Sequence, residues 1–301
     1  MTEAIWVGNV SQTDILMVAG VQTMMLRLPV FRVLAITLVM LSGLTGLCLS
    51  AETAPLFSKS LKAFESRAAS ANTDGWRFVF LGDNRGNDSV FKEILLRAQE
   101  LNPLFILHGG DIVEKGNAAE LSHFLEVVES VKGLPPLFVV RGNHEMDAAL
   151  FEKMIGPLNF VIDSQRLGFR LSAVDNSSYV LGERELALLS KNLDRKRQNQ
   201  IVAMHIPPKT DRWSRHSFNK GEKELFTLMT ERNVKMGLFA HIHLFDVDII
   251  KGIPYIISGG AGSQLAWFGY AGDAMYHLVI VDVVKGKVSY RVERFDTALM
   301  P

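Results

Sequence analysis

The chain has 301 residues, and its 32 Lys and Arg balance 32 Asp and Glu to a net charge of zero. Hydrophobic residues make up 48% and charged residues 21%, which excludes a disordered chain and lacks the basic surplus that non-specific nucleic-acid binding needs. A single cysteine, Cys48, excludes a disulfide framework, a cysteine-based zinc site and an iron–sulfur cluster.

No residue from Val33 to Ala51 is charged; Arg27 and Arg32 stand just ahead of this run and Glu52 closes it. Residues 1–51 are therefore expected to be an N-terminal extension with a signal peptide, cut near Ser50 or Ala51. That places the protein outside the cytoplasm, in a periplasm or the extracellular medium. The run is also about long enough to cross a bilayer, so an uncleaved membrane anchor through residues 33–51 is the alternative. Lipidation of Cys48 is a third reading, disfavoured by the bulky Leu47 before it. Glu3 and Asp14 are unusual ahead of a basic flank and point to a translation start at Met24 or Met25. Once the signal is cut no cysteine remains, which excludes a thiolate nucleophile.

Residues 52–75 read as a polar, helix-tolerant linker, and residues 76–296 as one domain without a further linker or low-complexity tract. The apolar run Arg77–Leu81 is expected to be a buried strand, followed by the turn-rich Gly82–Asp88 and a helix with Val90, Ile94, Ala98 and Leu101 on one face. The unit recurs as strand Leu104–Leu107, loop Gly109-Gly110-Asp111 and a helix over Ala119–Val131. It recurs again as strand Leu137–Val140, loop Gly142–Glu145 and a helix from about Asp147. Later strands are expected at Phe169–Val174, Ile201–Met204, Val234–Phe239, Phe245–Ile250 and Tyr255–Ile257. Tyr276–Val284 and Lys287–Val292 flank the turn Lys285-Gly286 as a hairpin. This order implies α/β layering.

In such units the loops leaving the C-terminal strand ends converge on one edge. Here they carry Asp83, Asp111, Asn143-His144, His205 and His241-Ile242-His243. One Asp after a Gly is ordinarily a turn residue, and one His beside a strand is ordinarily packing or surface. Five strand ends that all deliver ligand types point instead to a metal site. The mixed oxygen and nitrogen set suits Mn, Fe or Zn better than calcium.

Gly82-Asp83-x-Arg85, Gly110-Asp111, Gly142-Asn143-His144-Glu145, His205 and Ala240-His241-x-His243 resemble, in order and spacing, the motifs of the calcineurin-like metallophosphoesterases. Gly-Asn-His-Glu after a strand is the most specific of them. Ile257–Ser263 also resembles a glycine-rich stretch of exported members. The resemblance implies a two-sheet β-sandwich flanked by helices in four layers, αββα, holding two divalent or transition-metal ions. It implies Asp83, Asp111 and His243 at the first metal, Asp111 bridging, and Asn143, His205 and His241 at the second. Alternation of His241 and His243 along an extended strand end is expected to put both rings on one face. The implied activity is hydrolysis of phosphate mono- or diesters by a metal-bridging hydroxide, with His144 protonating the leaving oxygen or stabilising charge there.

One position departs from the common pattern. Arg85 stands where many members have a ligating His, and a guanidinium has no lone pair to give. It is read either as a phosphate contact, and so a catalytic residue, or as a structural ion pair. Of the remaining polar residues, His108 reads either as support for the ligand residues or as packing, His123 as a solvated helix face, and His277 carries no signal. Trp213 and His216 lie in a loop, Pro207–Gly221, that either borders the substrate or is plain surface; Arg141 either aids phosphate binding or has no role. The expected partner is a phosphorylated small molecule or other phosphoester, with no nucleic acid. The alternatives are a non-catalytic protein-binding module on the same fold, or a nuclease.

Overall fold

The computed structural model describes residues 55–266 and 269–295. The signal or anchor segment and Cys48 lie outside the described residues. Among the described residues no helix is long and apolar enough to cross a membrane.

Two mixed sheets pack face to face. The first has the order β11-β10-β1-β2-β3, from β1 (Gly75–Leu81), β2 (Ile106–His108), β3 (Leu137–Val139), β10 (Tyr276–Val284) and β11 (Lys287–Phe295). The second has the order β4-β5-β6-β7-β9-β8, from β4 (Phe160–Ser164), β5 (Phe169–Ala173), β6 (Asn199–Ala203), β7 (Val234–Phe239), β8 (Phe245–Ile250) and β9 (Ile253–Ser258). Strands β1, β2 and β3 run parallel, as do β5, β6, β7 and β9; β4, β8, β10 and β11 pair antiparallel with their neighbours.

Period-two alternation explains the layers. In β1, Phe78 and Phe80 join the core between the sheets while Val79 and Leu81 face helices. In β6 and β9, Ile201, Ala203 and Ile256 turn to the inter-sheet core, and Val202, Tyr255 and Ile257 turn away. The outer face of the first sheet is covered by α2 (Asp88–Glu100) and α3 (Ala118–Ser130) through Phe91, Ile94, Leu121 and Phe124. That of the second is covered by α5 (Glu183–Asn192) and α6 (Glu222–Glu231) through Leu189, Leu225 and Met229. The arrangement is αββα, as expected. A short helix, α4 (Ala148–Met154), begins at Asp147, whose side chain accepts the Leu150 N–H at 3.0 Å.

One correction concerns residues 52–75. The segment read as a linker contains a 15-residue helix, α1 (Leu56–Ser70), that is built into the sandwich. Phe64 and Ala68 are buried in the inter-sheet core, with Phe64 edge-on to Phe105 and Phe138. The Ser60 hydroxyl donates to the Leu137 carbonyl at 2.7 Å and stands 3.1 Å from the Leu137 N–H, so the helix satisfies part of the β3 edge. Its inward stripe, Phe57, Leu61, Phe64 and Ala68, has helical spacing, with Ser60 buried beside it. Phe64→Ala should cost about 3–5 kcal/mol of unfolding free energy, read from a urea transition, because it leaves a cavity in the main core.

Candidate metal centre

The loops after β1, β2, β3, β6 and β7 meet on one edge of the sandwich. Main-chain bonds tie them together beyond the strands: Asp83 N–H to Gly110 O at 3.1 Å, Arg85 N–H to Asp111 O at 3.3 Å, Val140 N–H to His108 O at 2.8 Å and Ala240 N–H to His205 O at 2.8 Å. Three residues at the heart of the site, Asp83, Asp111 and His241, have left-handed backbone with φ of 60°, 55° and 69°. Such conformations cost about 1–2 kcal/mol each and persist only where the surroundings over-determine them. Here Glu145 is part of that frame. Its buried carboxylate accepts the N–H groups of Gly142 at 2.6 Å, Asp111 at 3.0 Å and Ile112 at 2.9 Å, joining the second and third loops. Burial and the nearby Asp111 push its carboxyl up to about 7. Gly142 is required by contact, since a Cβ there would overlap the Asp111 carboxylate.

Two groups of ligand atoms result, each within 4.8 Å: Asp83, Asp111 and His243, and Asp111, His205 and His241. Asp111 belongs to both. His205 Nε2 is 3.3 Å from Asp111 Oδ1 and 3.0 Å from Asn143 Oδ1, which sets the amide oxygen beside the second group. His243 Nε2 is 3.7 Å from Asp83 Oδ1. The other ring nitrogens are occupied: His205 Nδ1 donates to Gly109 O at 2.8 Å and His243 Nδ1 to Gln264 O at 2.7 Å. Both rings therefore turn Nε2 into the site. His241 is reversed, with Nδ1 3.2 Å from His205 Nε2 and Nε2 2.7 Å from the Tyr179 hydroxyl.

These residues fit metal ions. Asp83 Oδ1 is buried without a hydrogen-bond partner, and burial, helped by Asp111, pushes its carboxyl well above the usual carboxylate range. Burial also raises the Asp111 carboxyl, but His205 and His144 outweigh it and hold it low. Burial lowers His205, yet Asp111 and Asp83 lift it to about 9, so the pocket draws positive charge toward itself. Burial, with His205 adding to it, pushes His241 down to about 2, and burial lowers His243 as well; both are neutral, as ligation requires. A cation between the carboxylates relieves the desolvation these groups carry.

The shared face expected for His241 and His243 is a correction. Residues 240–244 are not extended; Ile242 N–H bonds Ala240 O at 2.8 Å and Leu244 N–H bonds Ile242 O at 2.7 Å, giving consecutive three-residue turns. The His241 N–H reaches Asp83 Oδ2 at 2.9 Å, which draws the chain inward there and sends the two rings to different groups. The glycine-rich stretch runs beside the first loop, with Ala261 N–H on Gly82 O and Ser263 N–H on Asp83 O.

Of the two readings of Arg85, the structure shows the ion pair. Its Nε and Nη2 each donate to Glu114 at 2.9 Å. Arg141 is likewise taken up by structure, bonding Glu145 O, Asp175, Ser177 and Met146 O. His144 donates its backbone N–H to Asp111 Oδ1 at 3.1 Å, and its Nδ1 lies 2.6 Å from Glu114 O. His108 is buried against Phe91 and Phe124, His123 sits exposed against Asp88, and His277 is buried on Ser258. In the Pro207–Gly221 loop Trp213 is buried with its indole N–H on Asp246, whereas exposed His216 has its ring centroid 6.0 Å from that of His241. Tyr179 and Glu114 were not singled out from the sequence. No spacing signal marks either, because each acts through a contact made across the fold.

The family model for calcineurin-like phosphoesterases matches residues 77–245, more than half of the chain. No curated protein sequence matches. Among solved structures of similar fold, GAP50, the anchor in the inner membrane complex of Plasmodium, is 14% identical with a TM-score of 0.61, over 73% of this chain and 84% of that one. A dimetal phosphatase from Danio rerio is 12% identical with a TM-score of 0.55, over 73% of this chain and 99% of that one. The purple acid phosphatase PPD1 from yellow lupin (Lupinus luteus) seeds is 16% identical with a TM-score of 0.54, over 74% of this chain and 53% of that one. With the matched region running from β1 to the start of β8, and so through every loop that builds the centre, the chain belongs to the calcineurin-like phosphoesterase family.

Proposed function

We propose that this chain hydrolyses phosphate mono- or diesters with a pair of metal ions. The observation that supports this most is the pair of ligand groups sharing one carboxylate, Asp111. Asp83, Asp111 and His243 would hold one ion; Asn143, His205 and His241, with Asp111 shared, would hold the other. The mixed donors suit Mn, Fe or Zn. When bound, such a pair acidifies a water and neutralises charge on the phosphoryl oxygens.

The chain's own residues supply position and protons. Asp111 is held by its loop and by the His144 N–H, so the carboxylate is oriented before any ligand arrives. His144 rests its Nδ1 on the Glu114 carbonyl, which leaves Nε2 as the atom that can carry a proton to the leaving oxygen. Asn143 stands at the ligand position of this loop, so the neighbouring imidazole is free for that task. Arg85, paired with Glu114, sets the charge beside Asp83 and anchors the residue that positions His144. An exported or membrane-anchored setting, inferred from residues 33–51, goes with this reading and is tested by fractionation.

A non-catalytic binding module is the reading that the Plasmodium anchor supports; the presence of two ligand groups that share Asp111 favours the enzyme. The zero net charge gives no support to a nuclease.

Purified protein titrated with Mn or Zn should bind two ions and hydrolyse chromogenic phosphate esters; absence of metal binding at both sites overturns the reading. His144→Ala should lower turnover about 10²–10⁴-fold with metal content intact, and most on the poorer leaving group. His241→Ala should lose metal as well as activity. Tyr179→Phe should weaken the second ion about 10–100-fold by calorimetric titration, because the His241 ring loses the partner that orients it.

A further inference from the structure

The second ligand group has an outer wall made of rings. Tyr179, on the loop after β5, stands edge-on to His241 with ring centroids 5.2 Å apart, its hydroxyl 2.7 Å from Nε2. His216, on the loop after β6, has its centroid 6.0 Å from that of His241 and 6.0 Å from that of Tyr270. Arg215 lies over the Tyr270 ring, its Cζ 5.6 Å from the centroid, and donates through Nη2 to Gly269 O at 2.9 Å. Three rings outside the ligand groups therefore gather beside a fourth that belongs to one.

Both loops are built to hold these rings where they stand. Tyr179 and His216 are exposed, and their backbones are left-handed, with φ of 63° and 51°. Such backbone is strained for any residue with a side chain and persists only where the surroundings enforce it. In the first loop Asn176 does so. Its carbonyl accepts the Tyr179 N–H at 2.9 Å, and its side chain donates to Ile206 O at 2.8 Å and accepts the Ile206 N–H at 3.1 Å, next to His205. The second loop closes on itself, Lys209 N–H to Phe218 O at 2.7 Å and Phe218 N–H to Pro207 O at 3.0 Å, and is pinned by the Trp213 indole on Asp246 at 2.8 Å. It buries Trp213 and Phe218 and leaves His216 in solvent beside the centre. Arg85 and Arg141, which could have gripped a substrate oxygen, are committed to the protein. What the wall offers is ring surface, spaced within the range of about 4.5–7 Å over which aromatic rings attract one another.

We propose that Tyr179, His216 and Tyr270 receive the organic part of the substrate, so that the preferred phosphoesters are those of alcohols with an aromatic ring close to the ester oxygen. This rests on the hydrolase reading above and adds its substrate class.

The test compares benzyl phosphate with cyclohexylmethyl phosphate, and the two matching phosphonates, whose carbon–phosphorus bond is not hydrolysed. Both esters release a primary alcohol. The saturated ring is the larger and more apolar, so a wall that is merely apolar favours cyclohexylmethyl. Metal-loaded protein should instead prefer benzyl in kcat/KM, and benzylphosphonate in calorimetric Kd, by about two- to tenfold. His216→Leu keeps an apolar side chain but removes a ring; it should bring both ratios to one or below, and His216→Phe should restore them. Each ratio compares two ligands on one preparation, so a loss of active protein does not move it. Equal or weaker binding of benzylphosphonate by the wild type, no binding of either phosphonate, an unaltered ratio in His216→Leu, or a ratio that His216→Phe fails to restore overturns the assignment of the wall. A benzylphosphonate preference that His216→Leu removes, with neither ester hydrolysed, overturns the hydrolase reading instead.

Discussion

The Asp111 carboxylate stands between two groups of ligand atoms and is held there by a loop it could not hold alone. Its residue has left-handed backbone, its own N–H is taken by Glu145, and its Oδ1 accepts the N–H of His144. A buried, oriented carboxylate of this kind is costly to desolvate and repays the cost only when positive charge meets it. Much of the surrounding arrangement follows from that. Asp83 and His243 close on one side, and His205, His241 and Asn143 on the other. Glycines at 110 and 142 let the neighbouring loops approach closely enough.

The rest of the fold makes this edge rigid. Parallel strands from both sheets end together, so five short loops converge where each metal-ligand side chain is two to four residues beyond a strand. The inter-sheet core of Phe78, Phe80, Phe105, Phe138 and Phe169 fixes the two sheets against each other, and α1 fills the space beside β3 and β4. Close packing leaves little room for a loop to shift without moving a strand. That is why strained backbone at residues 83, 111 and 241 can be sustained.

Charge around the centre is arranged in two rings. Inside are groups that wait for a cation: an unpartnered Asp83 oxygen and neutral imidazoles at His241 and His243. Outside are groups already satisfied. Glu145 is spent on backbone amides, Arg85 on Glu114, and Arg141 on Asp175 and the turn beyond His144. Arg85 and Arg141 therefore hold the loops that shape the site.

Local pattern alone determined the strand–loop–helix order, the αββα layering through its resemblance, and the set Asp83, Asp111, Asn143, His144, His205, His241 and His243. Those properties are legible because apolar runs and the residue types that follow them are written consecutively in the chain. Some elements had a signal that was not read, such as Glu183, Glu185, Leu186 and Leu189 at the start of α5. So had α1, in Phe57, Leu61, Phe64 and Ala68. Strand β4, a half-buried edge, had little. What only the tertiary structure decided was pairing across long separations, Tyr179 with His241 and Glu114 with both Arg85 and His144, and the turned backbone that carries His241 and His243. Sequence spacing reports the period of a strand or helix, but a ring's direction is set by whichever atom, often sixty or more residues away, takes its second nitrogen.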